Sequence, residues 1–391
     1  NLYFEWMSAE ALLSGCTHVH TKEEFAKKLA SGRPLRIKLG FDPSAPDLHL
    51  GHALVLAKVR EFQEAGHLAV IIVGDYTARV GDPTGRSKTR PALEPEVIEK
   101  NAKTYTDQVF KIIDPKKTEI RRNGEWLGKL TCADLLRLNG QVNVARMLER
   151  DDFSKRHKEG VAISLAEFQY PVLQGYDSVA VKSDVELGGN DQLFNNLVGR
   201  DLQRQAGQEP QVVIVTALLT GTDGKQKMSK SLGNHIGITE APGEMFGKVM
   251  SVTDETCAVW RDLLGPFLGL PHEVPSHPME AKKELAAGVV RRFHGEAAAT
   301  AAQADFDAKF SKKDLSSAEM PSFRPSAANL SVAKLVQETG AVPSNSEARR
   351  LITQGGVKLG GEKLSDPKAE IALTTGQILQ VGKKTFFRIQ L

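Results

Sequence analysis

Residues 35–75, LRIKLGFDPSAPDLHLGHALVLAKVREFQEAGHLAVIIVGD, contain the pattern from which the fold of this chain can be predicted. Residues 35–39 predict a short buried strand that ends at Gly40, and residues 68–73 predict a second, fully buried strand. Apolar residues recur at helical spacing between them. Strand, helix and strand, with a glycine turn after each strand, form a parallel α/β unit. Because ligands bind at the carboxyl ends of such strands, we expect the functional residues in the loops that follow them.

The length and composition are typical of a soluble globular protein with more than one domain. A chain of 391 residues is too long for one compact core, so two or three domains are expected. Hydrophobic residues make up 41% of the chain and charged residues 25%. No apolar run approaches the roughly 18 residues needed to cross a bilayer, which argues against a membrane partner.

The first residues and the cysteines bear on the origin and the compartment of the chain. The opening NLYFEWM lacks the basic and apolar regions of a secretory signal and resembles the remnant of an expression tag. We therefore interpret residues 1–6 as a tag and expect the natural chain to begin at Met7. Cys16, Cys132 and Cys257 are odd in number and far apart, which predicts neither a disulfide framework nor a zinc site. A cytoplasmic protein is expected.

The positive charge of the chain is concentrated at its carboxyl end. The formal net charge is +3, and from Ser331 onwards nine lysines and arginines stand against five acidic residues. The preceding residues therefore carry a slight negative excess. A small basic terminal module suggests a polyanionic partner, although a solvated surface explains such a charge equally well.

The remaining segments predict further strands and helices. Residues 134–182 have a mostly helical pattern, and SDVELGGNDQLFNN at residues 183–196 predicts a strand, a glycine turn and the start of a helix. Residues 212–219 predict another buried strand. Residues 241–310 are alanine-rich and predict helices, and residues 316–330 have the composition of a linker. The runs QILQVG and TFFRIQL predict short strands near the end of the chain.

The loops after the strands lack both common nucleotide-binding fingerprints. GDPTGRSKT at residues 81–89 is similar to a P-loop but fails, because Gly85 comes one residue early and Arg86 follows it. The first loop instead carries HLGH at residues 49–52, which could be an incidental helix start. A zinc site is a poor interpretation, since no third ligand lies nearby at metal spacing. In the functional interpretation Gly51 leaves room for a nucleotide, and the imidazoles donate to phosphate oxygens at the helix N-terminus.

The segment KMSKS at residues 227–231 is the second motif, and it places Lys227 and Lys230 three residues apart. Exposed lysine pairs are common, so the motif alone indicates little. Two such motifs in this order, each after a strand of one α/β sheet, are much less probable by chance. Together they resemble the HIGH and KMSKS signatures of the class I aminoacyl-tRNA synthetases, which HLGH matches imperfectly and KMSKS matches in full.

Further stretches narrow this resemblance to one family. GDPTGRSKTR, YPVLQGYDS and GGNDQ resemble bacterial tyrosyl-tRNA synthetases, and SNSEARRLITQGGVKLGG resembles the S4-like RNA-binding domain at their carboxyl end. The resemblance implies an α/β fold with a Rossmann-like parallel-sheet catalytic domain at residues 7–235. An insertion around residues 125–165 would form a homodimer. An α-helical tRNA (anticodon) recognition domain is implied at residues 236–326, and a small α+β S4-like domain at residues 327–391.

The stretch YPVLQGYD places three hydrogen-bonding side chains on one face of a predicted helix. Tyr170, Gln174 and Asp177 are at i, i+4 and i+7, where an ordinary helix face would more often be aliphatic. They predict the polar wall of a pocket. The resemblance implies that Tyr170 and Gln174 contact the α-amino group of tyrosine and that Asp177 accepts the phenol proton. A site that hydrogen-bonds a substrate hydroxyl rejects the analogue that lacks it.

The resemblance also implies a reaction and roles for its residues. The tyrosine carboxylate attacks the α-phosphate of ATP, giving tyrosyl-adenylate and pyrophosphate, so catalysis is positioning and charge stabilisation. Mg²⁺ accompanies ATP and is held mainly by phosphates and water. Residues expected at the phosphates are His49, His52, Lys227, Lys230, Arg86, Arg90 and Ser44. Residues expected near the ribose and adenylate are Gly40, Asp42, Gly51, Gly189 and Asp191. Asp82 is expected at the ammonium of tyrosine, and Gln192 near its carboxylate or its amino end.

Two positions depart from the family pattern. Lys38 stands where the family has a tyrosine as second partner of the phenol oxygen, and Asp75 stands where small residues are usual. Both lie near the ends of strands that we expect to be neighbours. We therefore expect either a Lys38–Asp75 ion pair beneath the pocket or a contact between Lys38 and the phenol oxygen.

The second implied reaction passes tyrosine to the 3′ end of tRNA(Tyr). We predict that Asn345 or Ser346 caps a helix beginning at Glu347, which would project Arg349 and Arg350 towards RNA phosphates.

Two other functions fit parts of the pattern. A tryptophanyl enzyme shares the fold, but Asp177 and the S4-like tail argue against it. An inactive RNA-binding relative would not need the lysines and histidines of the two motifs, which are intact.

Overall fold

The computed structural model describes residues 8–43, 47–83, 94–310, 320–382 and 385–391. The chain divides into two compact units, Asn1–Ala299 and Thr300–Leu391. Within the described residues, no helix combines the length and the apolar character that crossing a membrane requires.

A six-stranded sheet, counted over the described residues, forms the centre of the first unit. Its strands are β1 (Cys16–His20), β2 (Arg36–Phe41), β3 (Leu68–Val73), β4 (Thr118–Arg122), β5 (Val185–Gly189) and β6 (Val212–Thr216). The spatial order is β1-β6-β5-β2-β3-β4. The five strands from β6 to β4 are parallel, and β1 pairs antiparallel with β6. The predicted α/β class is confirmed.

The predicted strands are the central ones, whereas both edge strands are not anticipated by the sequence pattern. The predicted strands before Gly40, at residues 68–73 and after residue 183 are present as β2, β3 and β5. The strand predicted at residues 212–219 ends at Thr216. The edge strands β1 and β4 have the sequences CTHVH and TEIRR, with mixed polarity and no fully buried residue. An edge strand is covered on one side only, so its sequence lacks the continuous apolar run of a central strand.

The chain order of the sheet reverses at β2. Lys38 of β2 lies opposite Val70 of β3 on one side and opposite Glu186 of β5 on the other. Loops that leave neighbouring strands at such a point diverge and leave a crevice at the carboxyl edge of the sheet. The predicted site residues follow β2, β3, β5 and β6, so this crevice is where they can meet.

Helices connect the strands and continue beyond the sheet. The regions predicted as helical at residues 134–182 and 241–310 are helical. Short 3-10 helices lie at Pro115–Lys117, Asn190–Gln192 and Lys230–Leu232. The α-helices are α1 (Ala9–Leu12), α2 (Lys22–Ala30), α3 (Leu50–Glu64), α4 (Thr77–Val80), α5 (Pro95–Val109), α6 (Gly124–Leu127), α7 (Cys132–Asn139), α8 (Val144–Met147), α9 (Asp151–Lys158), α10 (Leu165–Val181), α11 (Leu193–Gln205), α12 (Pro242–Met250), α13 (Asp254–Leu268), α14 (Pro278–His294) and α15 (Glu296–Phe310).

The helix α10 carries the predicted polar face, and both its start and its packing are specified locally. Ser164 accepts a hydrogen bond from the backbone N–H of Glu167, whose carboxylate accepts one from the backbone N–H of Ser164. This capping box satisfies N–H groups at the helix start. At Gly175 a β-carbon would lie 3.1 Å from the backbone nitrogen of Gly199 in α11. The glycine therefore lets the two helices pack closely.

The second unit is a small α+β module with its own core. Its helices are α16 (Val332–Glu338) and α17 (Asn345–Thr353), and its strands are β7 (Ser322–Phe323), β8 (Asn329–Ser331), β9 (Val357–Leu359), β10 (Glu362–Leu364), β11 (Glu370–Ala372), β12 (Ile378–Val381) and β13 (Thr385–Ile389). In the described part of this unit, five strands form a sheet in the order β10-β9-β12-β13-β7, and β11 pairs with β8. Leu335, Ile352 and Leu379 are fully buried in the core. The predicted terminal strands are confirmed, and β7 lies within the segment predicted as a linker.

Candidate active site

A cavity of about 370 Å³ lies at the carboxyl edge of the central sheet. It is lined from the ends of β2, β5 and β6, from α3 and from α10. Most of the predicted site residues surround it. Those on its wall are Gly40, Asp42, His49, Gly51, His52, Asp82, Tyr170, Gln174, Asp177, Gly189, Asp191, Gln192 and Lys227.

The two sequence motifs meet at one side of this cavity. The backbone N–H of Leu50 donates to the carbonyl of Ile236 at 3.0 Å, and the N–H of Ile238 donates to the carbonyl of Leu48 at 3.0 Å. The turn that carries the histidines is therefore hydrogen-bonded to residues 236–238, the segment that follows the lysine loop. At Gly51, a β-carbon would lie 3.0 Å from the His49 ring, so the glycine also leaves room for that imidazole.

The rings of His49 and His52 lie against each other at the start of α3, tilted by 37°. Their ring centroids are 3.9 Å apart, and the backbone N–H of His49 donates to Nδ1 of His52 at 3.2 Å. Burial is the main cause that lowers the pKa of His49 to about 2 and the pKa of His52 to about 4. Both imidazoles are therefore neutral at pH 7. Because Nδ1 of His52 accepts a hydrogen bond, its proton is on Nε2, and Nδ1 of His49 is buried without a partner among the described residues.

The lysines of the second motif are half-exposed and paired with carboxylates. The ammonium of Lys227 lies 2.6 Å from Asp191, and the ammonium of Lys230 lies 2.6 Å from Asp47. The two lysine side chains are 44% and 38% exposed. Exposed pairs of this kind contribute about 0–1 kcal/mol, so an anionic ligand can replace the carboxylates at little cost. Lys230 lies beside Asp47, while Lys227 lines the cavity itself.

The lysine loop is held in shape by Asn234, which sequence reasoning did not single out. Its side-chain oxygen accepts from the N–H of Ser229 at 2.8 Å, and its amide donates to Asp223 at 2.9 Å and to the carbonyl of Lys227 at 3.1 Å. A β-carbon at Gly221 would lie 2.2 Å from the Asn234 side chain. One asparagine thus connects both ends of the loop, and a single residue of this kind gives no periodic signal.

One end of the cavity is a network of carboxylates and donors. The Tyr170 hydroxyl donates to one carboxylate oxygen of Asp42 at 2.8 Å, and the Thr77 hydroxyl donates to the other at 2.7 Å. Gln192 donates to Asp82 at 2.9 Å. Burial raises the pKa of Asp42 to about 7, while these donors act in the opposite direction. Carboxylates here offer acceptors to a cationic group such as an ammonium.

The predicted polar helix face is confirmed, and Asp177 lies deepest on it. Asp177 is 3% exposed and accepts from the Trp126 indole N–H at 2.8 Å and from the Asn123 amide at 3.3 Å. Burial raises its pKa to about 7, against the charge of Lys38 and the two hydrogen bonds, which lower it. Trp126 and Asn123 follow β4, which the sequence pattern does not predict, so nothing pointed to them.

The expected ion pair between Lys38 and Asp75 is wrong. The ammonium of Lys38 lies 2.8 Å from the carboxylate of Glu186, and Asp75 accepts the backbone N–H of Gly124 at 2.8 Å. The physical reason is strand register. Lys38 is in the middle of β2, directly opposite Glu186 of β5, whereas Asp75 lies beyond the end of β3. Lys38 is fully buried beneath the cavity and does not form part of its wall.

Three predicted phosphate contacts lie outside the described residues. They are Ser44, Arg86 and Arg90.

The predicted RNA-binding arginines lie on α17 in the second unit, with a different cap. Ser344 accepts the N–H of Glu347 at 3.2 Å, and the helix begins at Asn345. The helix therefore begins two residues before the predicted start at Glu347, and its cap is Ser344 instead of Asn345 or Ser346. This prediction is wrong. Arg349 and Arg350 are both exposed, and Arg350 is paired with Glu347 at 2.5 Å.

The chain matches two family models that together cover most of its length. Residues 30–311 match the model of class I tRNA synthetases for tryptophan and tyrosine (W and Y). Residues 313–389 match the model of the tyrosine–tRNA ligase SYY-like C-terminal domain.

Curated relatives are similar over nearly the whole chain. The tyrosine–tRNA ligase of Aquifex aeolicus is 50% identical over 378 residues, which cover 96% of each chain. The tyrosine–tRNA ligase of Thermotoga maritima is 50% identical over 377 residues, which cover 94% of each chain.

Solved structures share the fold at lower identity. A C-terminally truncated mitochondrial tyrosyl-tRNA synthetase of Aspergillus nidulans superposes with a TM-score of 0.62 at 21% identity, covering 76% of this chain and 93% of that one. The tyrosyl-tRNA synthetase of Archaeoglobus fulgidus complexed with L-tyrosine also gives 0.62 at 21% identity, covering 75% of this chain and 98% of that one. From the family models and the curated relatives together, the chain belongs to the tyrosyl-tRNA synthetases of class I.

Proposed function

We propose that this chain ligates tyrosine to tRNA(Tyr) in two steps. It first activates L-tyrosine with ATP to tyrosyl-adenylate and releases pyrophosphate, and it then transfers the tyrosyl group to the 3′ end of the tRNA. The observation that carries the proposal is one cavity that combines the polar face of α10 with the joined histidine and lysine motifs. An amino acid and a nucleotide can lie end to end in such a cavity.

The polar end of the cavity is assigned to tyrosine. Asp177, deeply buried between the Trp126 and Asn123 donors, would accept the phenol proton. Gln174 and Tyr170 lie one and two turns before it on the same face and would meet the α-amino group. Asp82 and Gln192 complete this assignment at the ammonium and carboxylate end of tyrosine. The Gln192 amide donates a hydrogen bond to Asp82. This arrangement accounts for selection of a hydroxylated ring over phenylalanine.

The motif side of the cavity is assigned to ATP. The neutral imidazoles of His49 and His52 would donate hydrogen bonds to phosphate oxygens and add no charge. Lys227 and Lys230 would exchange their carboxylate partners for the departing pyrophosphate, whose negative charge grows as the bond breaks. Residues proposed near the ribose and adenylate are Gly40, Asp42, Gly51, Gly189 and Asp191, with Asp42 at the junction with the ammonium end, where it accepts from the Tyr170 hydroxyl. Ser44, Arg86 and Arg90 retain the phosphate roles that the family resemblance implies for them.

ATP is expected as its magnesium complex, with the ion as part of the substrate. In that form Mg²⁺ is coordinated mainly by phosphate and water oxygens. Because the activity serves protein synthesis, the cytoplasm is the proposed location.

The tRNA is assigned to the helical region and to the second unit. Arg349 and Arg350 on the exposed face of α17 would contact phosphates, which positions the RNA without reading its sequence. The division into domains at residues 7–235, 236–326 and 327–391 stays a prediction.

A homodimer is proposed through the segment around residues 125–165. Large apolar side chains are exposed there, at Leu136, Val144, Val161 and Leu165, with exposed fractions of 66%, 63%, 40% and 80%. Where such side chains form one contiguous apolar patch, the patch marks a protein–protein interface, and a homodimer through this segment would bury them together.

One assay separates the proposed function from its rivals. ATP–pyrophosphate exchange is measured with tyrosine, tryptophan and phenylalanine in parallel. Exchange that depends on tyrosine is expected, followed by tyrosylation of tRNA(Tyr). Exchange with tryptophan would instead favour a tryptophanyl enzyme, and no exchange with any of them would favour an inactive RNA-binding relative.

A further inference from the structure

A buried ion pair lies at the end of the cavity that holds Asp177 and is proposed for the tyrosine ring, called the aromatic end below; Glu186 is part of the cavity wall and Lys38 lies behind it. The Lys38 ammonium lies 2.8 Å from Glu186, and the two side chains are 1% and 2% exposed. Lys38 also donates to the Ser178 hydroxyl at 2.8 Å and to the Gln174 carbonyl at 3.1 Å. These three contacts use all three N–H groups of the ammonium, so its position is fully determined.

The contacts of this pair surround Asp177 on α10. Gln174 lies one turn before Asp177, and Ser178 follows it directly. The Ser178 hydroxyl, which accepts a hydrogen bond from Lys38, itself donates to Glu186 at 3.2 Å. A positive and a negative charge are thus both fixed to the helix segment that holds Asp177. In a desolvated site, charges fixed on neighbouring residues act strongly on a buried carboxyl.

We propose that the Lys38–Glu186 pair is a positioning element that sets the charge state of Asp177 and thereby the preference for tyrosine over phenylalanine. Neither residue of the pair is assigned a contact with the reacting atoms. The proposal rests on the proposed role of Asp177 as acceptor of the phenol proton. An ionised Asp177 accepts a hydrogen bond from the phenol O–H. A protonated Asp177 has lost the negative charge that makes it a strong acceptor.

The two charges act on Asp177 in opposite directions. Lys38 lowers its pKa and Glu186 raises it, while burial brings the pKa to about 7. The other titratable groups whose charges couple to Asp177 are Asp42 and Tyr170 at the ammonium end, which are hydrogen-bonded to each other. Its remaining partners, Trp126 and Asn123, are neutral donors. All of these are unchanged when Lys38 or Glu186 alone is replaced.

The proposal is tested by the pH dependence of the tyrosine KM in ATP–pyrophosphate exchange with the full chain. In the unmodified chain the tyrosine KM is expected to rise as pH falls through about 7, because Asp177 at the phenol and Asp42 at the ammonium end both become protonated there. In Lys38→Met this rise is expected about one pH unit higher, since the lowering charge is gone. In Glu186→Gln it is expected to move to lower pH, since Lys38 is then uncompensated. The double variant is expected between the two.

Two controls separate positioning from general damage. The phenylalanine KM, followed over the same pH range, is expected to rise less than the tyrosine KM, because phenylalanine shares the ammonium near Asp42 but cannot use the acceptor. Glu167→Gln removes another buried carboxylate of α10, paired with Arg156 away from the cavity. It is expected to leave the position of the tyrosine profile unchanged.

Shifts of the two single variants in the same direction, or no shift, would overturn the proposal. An equal rise in the phenylalanine KM would do the same. If Lys38→Met does not fold, Glu186→Gln and the double variant still show in which direction each charge moves the tyrosine KM profile along the pH axis. A failure of the proposed function looks different, because the unmodified chain would then show no tyrosine-dependent exchange.

Discussion

The two ends of the cavity differ in how deeply their charged side chains are buried and in how firmly those side chains are paired. At the aromatic end, Asp177 and the Lys38–Glu186 pair are buried, the two carboxylates accept from fixed donors and the Lys38 ammonium donates to fixed acceptors. The other end carries the histidine and lysine motifs, is proposed for the phosphates of ATP and is called the phosphate end below. There, Lys227 and Lys230 are half-exposed and are paired with carboxylates that a ligand can replace.

This difference shows how one site can be both selective and reactive. Buried charges interact strongly and cannot rearrange cheaply, which suits the recognition of a single hydroxyl group. Exposed lysines interact weakly with their present partners and can move to a phosphate whose charge develops during the reaction. The aromatic end should therefore respond to mutation through stability and specificity, and the phosphate end through rate.

The largest expected contrast is in stability. Lys38→Met leaves Glu186 buried without its partner and is expected to lower the free energy of unfolding by about 3–5 kcal/mol. Lys230→Met breaks an exposed pair and is expected to cost about 0–1 kcal/mol. Chemical denaturation of both variants measures the contrast, and the double replacement of Lys38 and Glu186 should recover part of the loss. Equal losses in the two single variants would contradict the distinction between the ends.

The next effect is on the rate of activation. Lys230→Ala is expected to lower the rate of tyrosyl-adenylate formation by roughly 10²–10³-fold, as for loss of one donor to developing charge. Tyrosine affinity should change little, because Lys230 lies beside Asp47 and away from the aromatic end. Single-turnover adenylate formation and equilibrium tyrosine binding separate the two. The matched control is Lys225→Ala, an exposed lysine of the same loop that does not line the cavity. A parallel loss of tyrosine affinity would mean that Lys230 is structural.

A smaller effect is expected from Asp177→Asn, which keeps the shape and removes the charge. The tyrosine KM should rise roughly 10- to 150-fold, corresponding to about 1.5–3 kcal/mol for a hydrogen bond to a charged group. The rise of the tyrosine KM below about pH 7 should also shrink to the rise that the phenylalanine KM shows, because asparagine does not titrate and Asp42 at the ammonium end still does. The phenylalanine KM is the internal control. A variant that keeps the pH dependence would show that another group titrates.

The smallest effect is expected outside the cavity, on α17. Replacing Arg349 and Arg350 together with alanine should weaken tRNA binding and reduce the slope of log affinity against log salt by about 2, one for each phosphate contact. ATP–pyrophosphate exchange should be unchanged, because it does not involve tRNA. Tyrosylation and exchange measured over a salt series provide the test. An unchanged salt slope would exclude phosphate contacts by these arginines.

The parts of the site that could be predicted are those with a local pattern. Tyr170, Gln174 and Asp177 share a helix face because of the helical repeat, and the structure places all three on the cavity wall. Trp126, Asn123 and Asn234 were missed, because each is a single residue whose role depends on what the fold brings near it. The meeting of the histidine and lysine motifs was anticipated only through family resemblance.

Local periodicity and turn residues were sufficient for the α/β class, the central strands and the polar face of α10, since these depend on interactions between residues close in the chain. The partner of Lys38 depended on something else. Strand order and register bring Glu186, nearly 150 residues away, opposite Lys38, and leave Asp75 bonded to a backbone N–H. The pairing of Lys38 with Glu186 matters because both side chains are buried. A desolvated charge must be paired, and it acts strongly on a neighbouring carboxylate.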